Sequence, residues 1–113
     1  MNQKLTPEEK ERKEKYEIAL GVEVSVVSVP LNKDATKKEV IYLKEPDIQQ
    51  LDAYLAMKEA HPLLARQNLF GALVLTADDQ ERIRLLTNKY VVMGVSFIID
   101  KLTEFFVAEI KKN

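Results

Sequence analysis

The chain lacks residues on which several classes of small protein depend. It contains no cysteine, one histidine and three glycines in 113 residues. Without cysteine it has no disulfide bridge, no thiolate ligand for a metal and no cysteine nucleophile. Three separated glycines cannot form the glycine-rich loop that cradles a phosphate. These absences exclude disulfide scaffolds, cysteine-ligated zinc modules and the common nucleotide-binding motifs.

A charge excess and a long apolar run are also missing. The net charge is −1, with 17 basic and 18 acidic residues, whereas nonspecific binding to phosphate backbones needs a basic footprint. The longest apolar run, residues 90–99, is shorter than the about 20 residues that span a bilayer. The N-terminal segment shows no apolar core of a secretory signal. We therefore expect a cytoplasmic protein without nucleic-acid or membrane partners.

The composition that is present describes one folded domain. Hydrophobic residues make up 46% of the chain and charged residues 31%, which is typical of a soluble globular protein. We predict a charged N-terminal helix over residues 1–21 and one globular domain over residues 22–113. The domain divides into a hairpin, residues 22–45, and a helical part, residues 46–113.

The first helix and the hairpin have clear local signals. Thr6 and Glu9 form a capping box, Pro7 suits the first helical turn, and Gly21 marks the end; the charged first two turns are expected to project into solvent. Residues 22–29 are β-branched, and their apolar alternation shifts by one residue, which predicts a bulge or burial on both faces. Residues 39–45 form the second strand. Because an isolated hairpin is marginal in water, it must pack on the helices or pair with another subunit, so a homo-oligomer is a candidate state.

The remaining sequence predicts a succession of helices. Pro46 ends the second strand, and Asp47 with Gln50 forms a capping box for a helix that extends to about residue 60. A helix over residues 62–75 is apolar on almost every side, and its Gly71 suggests a close helix crossing. A further helix follows, and we expect Thr76 to cap it. Its inward residues are expected to be Ile83 and Leu86. On the helix that follows Pro46, the residues expected to face inward are Ile48, Leu51, Tyr54 and Leu55.

The last helix is expected over residues 89–112, where apolar residues recur at helical spacing. The sequence therefore predicts an α+β fold: a mostly helical single domain of four or five helices with one β-hairpin near its N-terminus.

Residues that could carry catalysis have plainer structural explanations. His61 stands before a proline at a helix end, and no second histidine is available for a metal site. Asp78 and Asp79 are adjacent, so they project about 100° apart on a helix and cannot form a facing acid–base pair. We predict that the chain is not an enzyme and uses no cofactor or metal.

The aromatic residues of the last helix are the candidates for binding a partner. They either complete the core or form an exposed apolar edge, since aromatic side chains dominate both environments. The candidate partner-binding residues are the three phenylalanines, Phe97, Phe105 and Phe106, together with the apolar Ile110.

The segments "KEVIYLKEPDIQQLDAYL" and "LFGALVLTADDQERI" resemble the small tail assembly chaperones of long-tailed bacteriophages and prophages. Members of that family often enter a small helical domain through a strand followed by Lys or Arg, Glu and Pro, as in "YLKEP" here. The resemblance covers about residues 39–113, and the charged helix before the hairpin is absent from the simplest version of the pattern.

The resemblance implies a non-catalytic protein of the bacterial host cytoplasm that binds the long, aggregation-prone tape measure protein and keeps it soluble. Tail-tube subunits would be a second candidate partner. Two alternatives stay open on the sequence: a structural joining component retained in the virion, and a small regulatory module that binds a partner protein.

Overall fold

The structure, a computed structural model, describes residues 4–104. In this range five helices and three strands follow one another along the chain. They are α1 (Pro7–Leu20), β1 (Val24–Pro30), β2 (Lys38–Lys44), α2 (Ile48–Lys58), α3 (Pro62–Leu73), β3 (Val74–Leu75), α4 (Asp79–Leu86) and α5 (Lys89–Glu104). The predicted α+β class is confirmed. In the same range no helix is long and apolar enough to cross a membrane.

Local side-chain caps start the two helices for which they were predicted. The Thr6 hydroxyl accepts a hydrogen bond from the Glu9 N–H, and the Glu9 carboxylate accepts one from the Thr6 N–H. Asp47 and Gln50 exchange the same pair of bonds at the start of α2. Each box satisfies N–H groups that have no partner inside the helix. Both predicted capping boxes are therefore confirmed.

The sheet is antiparallel, with β2 between β1 and β3. Pairing of β1 with β2 runs without interruption from Val24 opposite Lys44 to Pro30 opposite Lys38. The shift in the apolar pattern of β1 is therefore no bulge. Val24 is buried on the outer face and Val27 on the inner face, because successive side chains of a strand alternate between faces.

The core lies between the inner face of the sheet and the helices α3 and α5. Strand residues Val29, Ile41 and Leu43 belong to one buried cluster with side chains of all three C-terminal helices. The fully buried members of this core include Leu43, Phe70, Leu73, Leu85, Val91, Val95 and Ile99. Apolar burial of this kind contributes about 25 cal/mol per Å² removed from water.

A third strand was not predicted. The helix expected over residues 62–75 ends at Leu73, and the next two residues pair with β2, Val74 opposite Leu43 and Leu75 opposite Tyr42. Local sequence does not separate a buried helix from a buried strand in so short an apolar run. Residues 74 and 75 form a strand because the edge of β2 that faces away from β1 offers them backbone hydrogen-bonding partners.

Several residues predicted to face inward are exposed. On α2, Tyr54 is buried, but Ile48 is 84% exposed and Leu55 is also exposed. The reason is that α2 packs mainly on α3, and a single neighbouring helix covers a narrow stripe.

On α4 the prediction of Ile83 was wrong, since Leu85 is the buried residue and Leu86 is partly buried. Its cap is Asp78, whose carboxylate accepts from the Glu81 N–H, and not Thr76. The helix starts at Asp79 because the carboxylate of Asp78, the residue before it, can accept a hydrogen bond from a free N–H of the first turn.

Helix α1 lies on the outer face of the sheet. It has no buried residue, yet the ring of Tyr16 lies 5.5 Å from the ring of Tyr42 on β2. The guanidinium of Arg12 lies 5.8 Å from the same Tyr42 ring. These contacts attach the helix to the sheet through its polar face, so the middle of α1 contacts the protein despite its charge.

Helix α5 lies very close to the end of β1 at Gly94. A Cβ atom added there would lie 2.8 Å from Cδ of Pro30, whereas one added at Gly71 would meet only the flexible end of Leu86 at 3.1 Å. The predicted close crossing at Gly71 is thus observed with α4, and a tighter one exists at Gly94.

We expect Gly94→Ala to lower the free energy of unfolding by about 1–3 kcal/mol, because the rigid proline ring cannot move aside. Gly71→Ala is the matched control, since both changes gain about 1 kcal/mol of helix propensity while the Leu86 methyl groups can rotate away. Urea denaturation measures both variants. Equal stability of the two would contradict the proposed contact at Gly94.

Candidate functional site

Of the four residues predicted to bind a partner, the structure describes Phe97. Phe105, Phe106 and Ile110 lie outside the described residues. Phe97 is on α5 and is 76% exposed. Between the two alternatives left open by the sequence, this side chain therefore belongs to an exposed edge and not to the core.

A second apolar side chain extends this exposed surface. Met93 is 56% exposed and precedes Phe97 by four positions, which places the two next to each other on the helix surface. We call this pair the α5 ridge. Tyr90, partly buried, lies one turn before Met93, with the ammonium of Lys89 5.3 Å from its ring. Lys101, also exposed, follows one turn after Phe97, so the ridge is apolar with a cation near each end.

The opposite face of α5 explains why the ridge is held in place. Val91, Val95 and Ile99 are almost completely buried in the core. A helix that is apolar on one face packs that face inward, and the remaining apolar residues of α5 are then directed outward. The ridge is therefore a consequence of a helix with more apolar residues than the core can cover.

An ion pair attaches α5 to its neighbours next to the ridge. The Nε and Nη2 atoms of Arg66 on α3 donate to the two carboxylate oxygens of Asp100 at 3.0 and 3.1 Å. The hydroxyl of Tyr54 on α2 donates to Asp100 Oδ1 at 3.2 Å. Two parallel bonds from one guanidinium fix orientation as well as distance. Asp100 thus joins three helices at one point.

These contacts shift the ionisation of the groups involved. Hydrogen bonds from Arg66 lower the pKa of Asp100, and the same bonds raise the pKa of Arg66. Burial, followed by the charge of Asp100, raises the pKa of Tyr54. At neutral pH the carboxylate is therefore ionised and the phenol is protonated, which is the state that these hydrogen bonds require.

The clefts of the described chain differ in what they could accept. A cleft of about 140 Å³ between α2 and α3 is lined mainly by Ala53, Tyr54, Met57, Ala65 and Leu69. This volume is below the roughly 300–1,000 Å³ of typical small-molecule sites. A groove of about 400 Å³ between α1 and the outer face of the sheet has a mixed lining that includes Arg12, Lys15, Tyr42 and Glu81.

Polar side chains of the types that serve in catalysis form local hydrogen bonds or lie alone on the surface. Ser96 donates to the carbonyl of Val92 one turn earlier, and Asp78 caps α4. His61 is exposed at the start of α3. Within residues 4–104 no group of three histidine, aspartate or glutamate side chains is arranged to hold a metal. The absence of enzymatic activity and of a cofactor stays a prediction.

The sequence indicated Phe97 but missed Met93 and the ion pair. The four-residue spacing of Met93 and Phe97 was a usable signal for a shared face. Arg66 and Asp100 are 34 positions apart, so no local pattern could connect them.

Comparisons with known proteins establish the fold alone. No family model matches the chain, and no curated protein does. A solved structure of the uncharacterised protein rbstp2171 from Bacillus stearothermophilus is similar, with a TM-score of 0.60 and 16% sequence identity. The similarity covers 88% of this chain and 96% of that one. The two chains share an arrangement of elements over nearly their whole length.

We expect Asp100→Asn to reduce stability at neutral pH by about 1–2 kcal/mol, because it weakens the charge-assisted bonds of a partly buried pair. The lowered pKa of Asp100 means that its contribution is present above the ordinary aspartate value of about 3.8 and is lost as the pH falls through the folded-state value. Unfolding free energies measured against pH should therefore converge for the wild type and the variant in acid. Asp52→Asn, at an exposed position of α2, is the control, and an unchanged pH profile of Asp100→Asn would contradict the role of the ion pair.

Proposed function

We propose that this protein is a non-catalytic tail assembly chaperone that binds a long helical tape measure protein and keeps it soluble during tail assembly. The observation that carries the proposal is the α5 ridge, in which Met93 and Phe97 expose adjacent apolar side chains. Exposed apolar surface of this kind is typical of sites that bind other proteins.

A helical client fits the shape and chemistry of the ridge. Amphipathic helices bind through apolar residues at i, i+3, i+4 and i+7, and a partner helix of this pattern can pack against the ridge. Complete burial of a methionine or phenylalanine side chain contributes about 1.5–3 kcal/mol, and methionine adapts to partners of irregular shape. Lys89 and Lys101 near the ends of the ridge favour a client with acidic residues beside its apolar stripe.

The resemblance to tail assembly chaperones supplies the identity of the client. It is strongest at "YLKEP", residues 42–46, which form the end of β2 and the short passage into α2. Here β2 ends at Lys44 and the cap Asp47 follows three positions later. The same resemblance suggests the bacterial cytoplasm as location and tail-tube subunits as second partners.

Co-expression with the tape measure protein, which the proposal expects to be encoded next to this chain, tests the proposal. We expect the wild type to raise the soluble fraction of that protein several-fold, and Phe97→Ala to remove most of this effect, because the variant loses the largest side chain of the ridge. The fold should be unaffected, since Phe97 is mainly exposed. Quantitative gels of soluble and total protein provide the measurement.

Ile18→Ala is the matched control, because Ile18 is as exposed as Phe97 but lies on α1. It should retain full solubilising activity. Equal activity of the wild type and Phe97→Ala would refute binding through the ridge. Recovery of the chain at fixed copy number in purified virions would favour the alternative of a structural tail component.

A further inference from the structure

Helix α2 has an exposed face that the core does not use. Ile48 is 84% exposed and Leu55 is 62% exposed. Asp52 and Glu59 are also exposed, and the four residues follow one another at steps of three or four positions, which places them in one row along the helix surface. Glu59 keeps helical backbone angles, with φ −70° and ψ −44°, so the row continues to the end of the helix. We call these four residues the α2 stripe.

The inner side of α2 lies opposite the stripe. Gln50, Ala53 and Met57 line the cleft between α2 and α3, and at about 100° per residue they are about half a turn away from the stripe. Tyr54, on the same inner side, donates to Asp100 of α5. The stripe therefore faces solvent, away from α3 and α5, and it does not contact the α5 ridge of its own chain.

The stripe combines its apolar side chains with negative charge. Asp52 and Glu59 supply two carboxylates on the same row as the two apolar residues. Lys58, the cation of α2, lies on the inner side, with its ammonium 5.6 Å from the Tyr54 ring. An acidic and apolar helix surface has the chemistry that the lysines beside the α5 ridge favour, because complementary charges select the partner of an interface.

The α5 ridge has the complementary charge and a similar length. The two lysines beside it, Lys89 and Lys101, are both exposed. The charge of the neighbouring Asp100 is balanced by Arg66 through two hydrogen bonds. At 1.5 Å per residue the two lysines are about 18 Å apart along α5, and the stripe extends about 17 Å along α2. The two surfaces therefore match in charge and in length.

We propose that the α5 ridge of one copy of this chain packs against the α2 stripe of a second copy. Packing of the two helices covers the apolar side chains of both surfaces, each of which is more than half exposed in the single chain. It also brings the two lysines beside the ridge next to the two carboxylates of the stripe. Every copy supplies both surfaces, so they are present at equal concentration.

Charge selects this pairing over the two symmetric ones. Two ridges in contact would bring lysines together, and two stripes would bring carboxylates together, and like charges in an interface are unfavourable. Contact between ridge and stripe avoids both arrangements. Because the two surfaces differ, such a contact is heterologous, and copies add to one another in a chain or close into a ring.

The contact would also regulate client binding, a consequence that rests on the proposed function. A client helix and the α2 stripe of another copy occupy the same ridge, so they compete for it. Binding of the client would then separate the associated copies. In the absence of client, the exposed apolar residues of the ridge would be covered by the protein itself.

Light scattering of the protein alone, at several protein and salt concentrations, tests the contact without any client. We expect the mean mass to rise with protein concentration and to fall as salt is added, because salt screens attraction between exposed charges. A contact between two ridges would respond in the opposite way, since salt would then relieve repulsion between lysines. A wild type that is monomeric at every concentration, or that associates more strongly in salt, would overturn the proposal.

Two variants that each block one surface test the pairing directly. Phe97→Glu blocks the ridge and Leu55→Lys blocks the stripe, because each removes a large apolar side chain and adds a charge that the other surface repels. Each variant alone should associate about tenfold or more weakly than the wild type. An equal mixture should form a heterodimer and nothing larger, since the stripe of the first variant and the ridge of the second are intact.

Ile18→Lys is the matched control, because Ile18 is 85% exposed but lies on α1, and it should associate like the wild type. Absence of a heterodimer in the mixture, wild-type association of Leu55→Lys, or equal loss of association in Ile18→Lys would each overturn the proposal. If circular dichroism shows that a charged variant is unfolded, Phe97→Ala and Leu55→Ala replace the pair in the same mixture.

The Leu55→Lys variant also separates this proposal from the proposed function. It leaves the α5 ridge intact, so it should keep a co-expressed tape measure protein as soluble as the wild type does while its own association is lost. Failure of the wild type to solubilise that client would contradict the proposed function alone, because the mass measurements use this chain without a client.

Discussion

Burial of the inner face of a small sheet beneath α3 and α5 is the constraint on which the rest of the structure depends. Two strands of seven residues and one of two cannot form a stable sheet in water without cover. The cover is provided by Phe70 and Leu73 from α3 and by Val91 and Val95 from α5. The position of α5 is further defined by Asn88, whose side-chain amide donates to the carbonyl of Leu31 in the hairpin loop.

The position of α5 leads directly to the candidate site. Its core-facing residues set the rotation of the helix, and Gly94 allows the helix to approach Pro30 closely. Once that rotation is set, Met93 and Phe97 face outward, and the bonds from Arg66 and Tyr54 to Asp100 hold the helix there. A surface that binds another protein benefits from such rigidity, because less conformational freedom is lost on binding.

The sequence by itself determined the boundaries that depend on neighbouring residues. The capping boxes at Thr6 and Asp47, the helix end at Gly21 and the passage at Pro46 all involve groups within about four positions, so they can be predicted without knowledge of the fold. The sequence also predicted the hairpin. For the aromatic residues of α5 it left two alternatives, burial in the core or an exposed edge. Residues 105–113, which contain the other candidate side chains, lie outside the described structure.

Only the tertiary structure decided which apolar residues are buried. Leu85 and not Ile83 faces the core, Ile48 is exposed, and Val74 with Leu75 leaves the helix to pair with β2. Each outcome depends on a partner far away in the chain, and apolar periodicity states only that a residue can be buried. The exposure of Phe97 also depends on distant parts of the chain. Helix α5 carries more apolar side chains than its neighbours in the fold can cover, and Phe97 is one of those left exposed.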